Sequence, residues 1–394
     1  MPDQETVERV NPVFNTAKGT LLMLSRAGVP EAEDFCRKLG FQLTQFENTP
    51  DTRTPRTMMS ALMCMQEMRY RCINDLVLRA GNRNVLDIAC GFSPRGLLLS
   101  GLSMNYMGCD LPAAVNELQK AIGTDHERDG YRYFGMDATN DESVRQVSES
   151  FEGPVTIITE GLLTYFIEPE LRTVYHNLHG VLARHGGCWI TCDLDRGYVT
   201  AAIGAIFGQD RAAELLRGTL RRRDAVADNL PQDDAAVRIG RELLREYGMT
   251  AAAVPFYRDD FDPIFGLEIS GEHKAALLDA FRRLKLYVIT ADGSALPEPA
   301  GGHASAFTAE EADGGVTLRV TGRLDTLSSP ALLEYCEKLP EATRLTVDLA
   351  DTDFISSAGL RVLDMLGKRF TRLTLLHASD ALLTELRAEV PQLA

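Results

Sequence analysis

The chain has 394 residues, 45% apolar and 25% charged, a balance that excludes a disordered or fibrous protein and suggests two or three folded units. Its net charge of −15 argues against a nucleic-acid surface, which needs a basic stripe to displace counterions. The acidic, polar start MPDQETVERV and the lack of any apolar run near about 18 residues argue against a signal peptide and a membrane span.

Residues 1–57 mix turn signals with short helical patterns, notably Leu21–Leu24 and an acidic segment from Pro30 to Leu39. Arg53 and Arg56 fall in a loop whose default reading is a solvated one. From Thr57 to Ala80 the chain reads as one helix without Gly or Pro. Its five methionines, Met58, Met59, Met63, Met65 and Met68, suit either a gap-filling core or an adaptable lining for a bulky ligand. Val85 to Cys90 is an apolar run of strand length, stopped at Gly91 in the turn Gly91-Phe92-Ser93-Pro94-Arg95-Gly96. A second strand, Tyr106 to Cys109, ends on Asp110. Strand, glycine turn, helix and acid-ended strand together make a doubly wound sheet that holds a ribose. The turn lacks the G-x-G-x-x-G spacing of a dinucleotide site, and Phe92 and Pro94 take room and a donor from any phosphate. A cofactor with a ribose and no phosphate, S-adenosylmethionine (SAM), fits better.

Gly135 to Thr139 reads as a third strand ending on the acid Asp137, placed to flank an adenine, with Ala138 beside it. Pro154 to Phe166 reads as a fourth strand ending on Glu160. Glu168 to His185 carries Leu171, Val174, Leu178, Val181 and Leu182 on one helical face, with Pro169 in the first turn. Its histidines, His176, His179 and His185, read as solvated. The following strand contains Cys188 and Cys192, which at ~13 Å apart along a strand cannot share a metal. All eight cysteines therefore read as small core residues of a reducing, cytoplasmic compartment. Residues 197–246 form a charged helical insertion, either a lid or a solvated face. Val254–Tyr257 and Leu286–Thr290 are the closing strands, expected as a hairpin at the sheet edge.

The row VLDIACGFSPRG, CDLP, MDAT and ITEGLLTYF resembles the leucine carboxyl methyltransferase-like family of class I SAM-dependent methyltransferases, over roughly the first three quarters of the chain. The resemblance implies a Rossmann-like sheet under a helical cap, with SAM held by Gly91, Asp110, Leu111, Asp137, Ala138 and Glu160. In it Glu160 takes the SAM ammonium group, and one of Arg69 and Arg71, in the segment Met68-Arg69-Tyr70-Arg71-Cys72-Ile73-Asn74-Asp75, takes the carboxylate. Tyr165 is the candidate for orienting the acceptor.

Residues 293–305, rich in Gly, Pro, Ala and Ser, read as a linker between a methyltransferase domain over 1–292 and a further domain over 306–394. The tail restarts with a strand (Gly315–Asp325), a helix (Ser328–Leu339), a strand (Leu345–Leu349), a helix from Ser357, a strand (Leu373–Leu376) and a last helix. The runs Thr321-Gly322-Arg323-Leu324-Asp325 and Asp348 to Leu363 resemble the STAS domain of anti-sigma-factor antagonists and stressosome proteins, a small α/β fold. That resemblance implies phosphorylation at Ser357, at a helix start where free N–H groups suit a phosphate. It departs from the family at Ser356, where many members carry Asp, and helix capping alone also accounts for the two serines.

The reading is a SAM-dependent O-methyltransferase for a small-molecule acceptor, a carboxylate rather than a hydroxyl because no histidine lies in a motif segment. The tail is then a regulatory, partner-docking or dimerisation module. The alternative is a sensor that binds SAM or a metabolite without turnover and signals through the tail.

Overall fold

The computed structural model describes residues 17–41, 56–122, 130–195, 197–208, 210, 212, 233–256, 270–291, 293, 306–312, 315–324, 328–339, 344–355 and 357–378. The chain divides into two compact units, one built on a seven-stranded sheet and the other on a four-stranded sheet.

The first unit begins with a helix over residues 17–26 (α1), then Pro30–Lys38 (α2) and the long Arg56–Ala80 (α3). Pro30 opens α2 where its missing N–H costs nothing, and Glu31 and Glu33 sit in the first turn, on the positive end of the dipole. On α3, Met58, Met63, Met65 and Met68 are buried and Met59 is half-buried. Strands and helices then alternate: β1 (Asn84–Ile88), α4 (Arg95–Ser100), β2 (Asn105–Asp110), α5 (Pro112–Ile122), β3 (Tyr131–Gly135), α6 (Asp141–Ser148) and β4 (Val155–Thr159). They continue as α7 (Glu168–His185), β5 (Gly187–Thr191), α8 (Tyr198–Phe207), α9 (Asp233–Glu246), β6 (Thr250–Pro255), α10 (Gly271–Arg282) and β7 (Lys285–Thr290).

The strand order is β3-β2-β1-β4-β5-β7-β6, parallel from β3 through β5, with β7 antiparallel to both its neighbours. β1 and β4 are buried along their whole length, as strands covered on both faces must be. The winding reverses between β1 and β4, so the crevice of the sheet opens beyond the carboxyl ends of these two strands. Ile88 pairs with Cys109 on one side and Thr159 on the other. That register brings Gly91, Asp110 and Glu160 to the same end of the sheet.

Three expectations shift. The third strand is Tyr131–Gly135, not Gly135–Thr139; Tyr131 and Tyr133 bury alternately, and Met136 onward forms the turn into α6. The first closing strand is Thr250–Pro255 rather than Val254–Tyr257. It stops at Pro255, after which Phe256 turns fully into the core and its N–H donates to the Leu284 carbonyl. The two closing strands pair antiparallel at the edge, but α10 lies between them in sequence, so they are no tight hairpin. Of the 197–246 insertion, α8 and α9 are seen; Arg221–Arg223 lie outside the described residues, as do Arg53 and the linker apart from Gly293.

The second unit holds β8 (Ala306–Ala312), β9 (Gly315–Leu324), α11 (Ser328–Glu337), β10 (Arg344–Ile355), α12 (Ser357–Arg369) and β11 (Arg372–Leu376), with the sheet ordered β11-β10-β9-β8. β8, antiparallel to β9, has no counterpart in the sequence reading. β10 runs six residues beyond the expected Leu349, because two irregularities in its pairing with β9 absorb the polar run after Leu349. The expected last helix and Ser356 lie outside the described residues.

Candidate functional site

The crevice is lined first by the turn after β1. Ala89 and Gly91 both take left-handed backbone, φ 56° and 53°, a conformation that costs an L-residue roughly 1–2 kcal/mol. The Gly91 N–H thereby points at Asp110, donating to Oδ2 at 2.8 Å, while the Leu111 N–H donates to Oδ1 at 2.7 Å. Burial raises the Asp110 carboxyl above its ordinary range, and these two N–H donors oppose that. Each carboxylate oxygen keeps a further lone pair for another donor.

What comes close to Gly91 in this fold is α1. A Cβ on Gly91 would lie 2.9 Å from the Ala17 methyl. The next residue, Lys18, donates to Glu117 of α5 at 2.6 Å and lies 5.4 and 5.5 Å from the Phe41 and Phe92 ring centroids. Gly91→Ala is thus expected to destabilise this unit by about 1–3 kcal/mol, through overpacking and the positive φ together. Hydrogen exchange of residues 17–26 checks it, since the new methyl should loosen α1 before the sheet.

Opposite the turn stands Glu160, one residue past β4. Arg69 of α3 donates from Nε to Glu160 Oε1 at 2.7 Å and from a terminal nitrogen to Gln66 at 2.7 Å. Arg71 pairs with Glu67, one turn back on α3, at 2.8 Å, both buried. The second cation at Glu160 is one the sequence reading passed over. Arg95, 1% exposed, donates to Glu160 Oε2 at 2.8 Å, to Asp87 Oδ2 at 2.8 Å and to Asn74 Oδ1 at 2.7 Å, and lies 5.2 Å from the Tyr70 ring centroid. Tyr106 adds a hydroxyl donor to the same Asp87 oxygen at 2.9 Å. Burial raises the Asp87 carboxyl despite Arg95. Burial also works against ionised Glu160, but Arg69 and Arg95 outweigh it and hold that carboxyl below the ordinary range. The signal for Arg95 was available: an Asp inside an apolar strand needs a buried cation.

The remaining candidates lie at the same end of the sheet. Asp137 is exposed and its Oδ1 accepts from the Thr139 N–H and hydroxyl at 2.9 and 2.7 Å, a local turn that leads into Asn140, the N-cap of α6. Ala138 is buried, and its carbonyl accepts from Asn177 Nδ2 at 2.9 Å. Tyr165, half-buried, ends a 3₁₀ turn, Leu163–Tyr165. Beneath that turn is Asp193, two residues past β5. It accepts three consecutive backbone N–H groups, from Gly161 at 2.8 Å on Oδ1 and from Leu162 and Leu163 at 2.8 and 2.9 Å on Oδ2. His176 and His179 lie against the Tyr247 ring. Among the described residues no cluster could hold a metal ion, and no helix is long and apolar enough to cross a membrane.

In the second unit Ser357 is the first residue of α12. Asp348 of β10 accepts the Ala350 N–H at 3.1 Å and contacts His377 Nδ1 at 2.7 Å and Arg319 Nε at 3.5 Å. The His377 hydrogen bond and the Ala350 N–H hold its carboxyl below the ordinary range.

No curated protein matches the chain. Similar solved structures include the PH0226 protein from Pyrococcus horikoshii OT3, 16% identical, with a TM-score of 0.27 over 52% of this chain and 79% of that one. Another is an O-methyltransferase family protein from Burkholderia thailandensis, 14% identical, with a TM-score of 0.32 over 66% of this chain and 71% of that one. Likenesses this slight identify no activity. Residues 306–387 match the family model of the STAS domain, a span that runs from the start of β8 past β11. The four-stranded second unit is therefore a STAS domain.

Proposed function

We propose that the first unit binds SAM at the carboxyl ends of β1 and β4 and transfers its methyl group to a small acceptor. The observation that carries this reading is the donor and acceptor set gathered there: Asp110 with its two N–H donors, and Glu160 flanked by Arg69 and Arg95. A ribose diol, an ammonium and a carboxylate are the complement of that set. Asp110 accepts from the ribose hydroxyls, with Gly91 and Leu111 holding its carboxylate in place. Glu160, kept ionised by the two arginines, accepts from the ammonium group. Arg69 rather than Arg71 would take the carboxylate, because Arg69 stands beside Glu160 in the crevice while Arg71 pairs with buried Glu67 on its own helix. Ala138 and Asp137 flank the adenine. SAM supplies an electrophilic methyl on a sulfonium, so the protein contributes chiefly by alignment. A carboxylate acceptor, already ionised at pH 7, suits a crevice whose motif segments carry no histidine base. Tyr165 orients it, and the STAS domain serves regulation or partner docking, with Ser357 as the residue modified.

Calorimetry with SAM tests this. Wild type should bind, and Glu160→Gln, which keeps the shape and removes the charge, should bind about 10-fold or more weakly. Equal affinities would leave Glu160 a structural acid. Demethylated product over a panel of carboxylic acids separates an enzyme from a SAM-binding sensor that signals through its STAS domain. Tight binding with no product from any acceptor would favour the sensor.

A further inference from the structure

Asp193 makes no hydrogen bond to the groups assigned to SAM, yet donors converge on it. The residue is 5% exposed, and burying a carboxylate that deeply is costly unless hydrogen bonds replace its water. Here the replacement is a concave run of three successive N–H groups, Gly161 to Leu163, an arrangement that proteins elsewhere use to hold anions. Gly161, at φ 73°, makes the concavity possible, since this left-handed backbone is one that other residues rarely adopt. The anion in this nest belongs to the chain itself. Behind Asp193 the core adds a second layer. The Asp193 N–H donates to Thr191 Oγ1 at 3.0 Å, Thr159 Oγ1 lies 3.0 Å from the same oxygen, and the Trp189 indole N–H donates to Thr159 Oγ1 at 2.9 Å. Trp189, Thr159 and Thr191 are fully buried.

The loop so gripped has Glu160 at one end and Tyr165 at the other. Glu160 has its own anchors in Arg69 and Arg95. The turn toward Tyr165 is held by two backbone bonds, Tyr165 to Leu162 and Phe166 to Leu163, and both bonds accept at residues whose N–H groups end on Asp193. Shifting the carboxylate therefore shifts both loop ends, Tyr165 the more.

We propose that Asp193 is a positioning residue: its carboxylate sets the conformation of the loop after β4 and through it the placement of Glu160 and Tyr165. The proposal rests on the SAM-site reading for its functional consequence, but not for its structural one. Two readouts on the full chain separate them. Amide exchange by mass spectrometry over Gly161–Tyr165 needs no ligand, and Asp193→Asn, which turns an NH₂ toward one or two of the three donors, should speed it by about 10-fold or more. SAM affinity by calorimetry should fall in the same variant by about 3- to 10-fold, less than in Glu160→Gln because Arg69 and Arg95 still hold that carboxylate. Asp193→Glu should recover part of both.

If Asp193→Asn does not fold, Thr191→Val removes the hydroxyl that accepts the Asp193 N–H and should show the same exchange change, with helices α5 and α6 as protected as in wild type. Unchanged exchange at Gly161–Leu163 in a folded variant overturns the proposal. So does accelerated exchange spread evenly over the whole unit, which is what a merely destabilising change produces. Wild type that binds no SAM overturns the SAM-site reading instead, and the exchange result then decides the positioning role by itself.

Discussion

Arg95→Met should unfold the seven-stranded unit more readily than any other single change at the site, by about 3–5 kcal/mol. The arginine is 1% exposed and joins Asp87 of β1, Asn74 of α3 and Glu160 after β4. Methionine fills much of its volume but leaves Asp87, itself 1% exposed, with only the Tyr106 hydroxyl among those partners. A buried carboxylate in that state is neutralised by taking up a proton or it drags the strand open, and either route costs stability. Urea unfolding followed by the emission of Trp189, the single tryptophan of the chain, reads this unit alone, because β5 belongs to it. Adding Asp87→Asn to Arg95→Met should restore part of the loss, since residues in contact do not contribute additively. A loss below about 1 kcal/mol for Arg95→Met would mean that water reaches Asp87 and replaces the guanidinium.

Asp110→Ala should weaken SAM binding by about 1.5–3 kcal/mol, roughly 10- to 150-fold, as expected for losing a charged acceptor. Its carboxylate has two duties in this fold. It would accept from the ribose hydroxyls, and it already fixes the Gly91 and Leu111 N–H groups at 2.8 and 2.7 Å. Alanine removes both, so the turn after β1 relaxes as the ligand contact disappears. Asp110→Asn separates the two effects: the amide oxygen keeps one N–H donor, while its NH₂ faces the other. Calorimetry should place Asp110→Asn between wild type and Asp110→Ala. If Asp110→Ala binds SAM as tightly as wild type, the ribose is not at the end of β2.

The parts of this site that lie along the chain were legible in order of residues. Strand β1 and the turn at Gly91 that follows it, β2 ending on Asp110, and β4 running into Glu160 are local features, each encoded within about a dozen residues by apolar patterning and a turn. The same holds for Ser357 at a helix start. β3 slipped because Gly135-Met136-Asp137 looks like a strand end from its sequence alone. The alternating burial of Tyr131 and Tyr133 that places the strand earlier depends on what packs against the sheet.

What composition and order determined by themselves is the alternation of strands and helices and the residue type at each strand end, because backbone preference and side-chain periodicity are short-ranged. Which acids face which cations was decided only by the tertiary structure. β1 lies between β2 and β4, with Asp87 opposite Gly108 and Ile158, and Arg95 joins Asp87 to Glu160, which lies 65 positions beyond the arginine. Arg69 and Arg71 are two residues apart on one helix and equally plausible in sequence. Their different partners, Glu160 for one and Glu67 for the other, follow from the 100° that separates neighbouring side chains on a helix and from where α3 docks. Asp193 likewise reads as one more acid at a strand end until β5 is set beside β4. That adjacency puts its carboxylate under the Gly161–Leu163 amides, because a buried anion is stable only where donors converge on it.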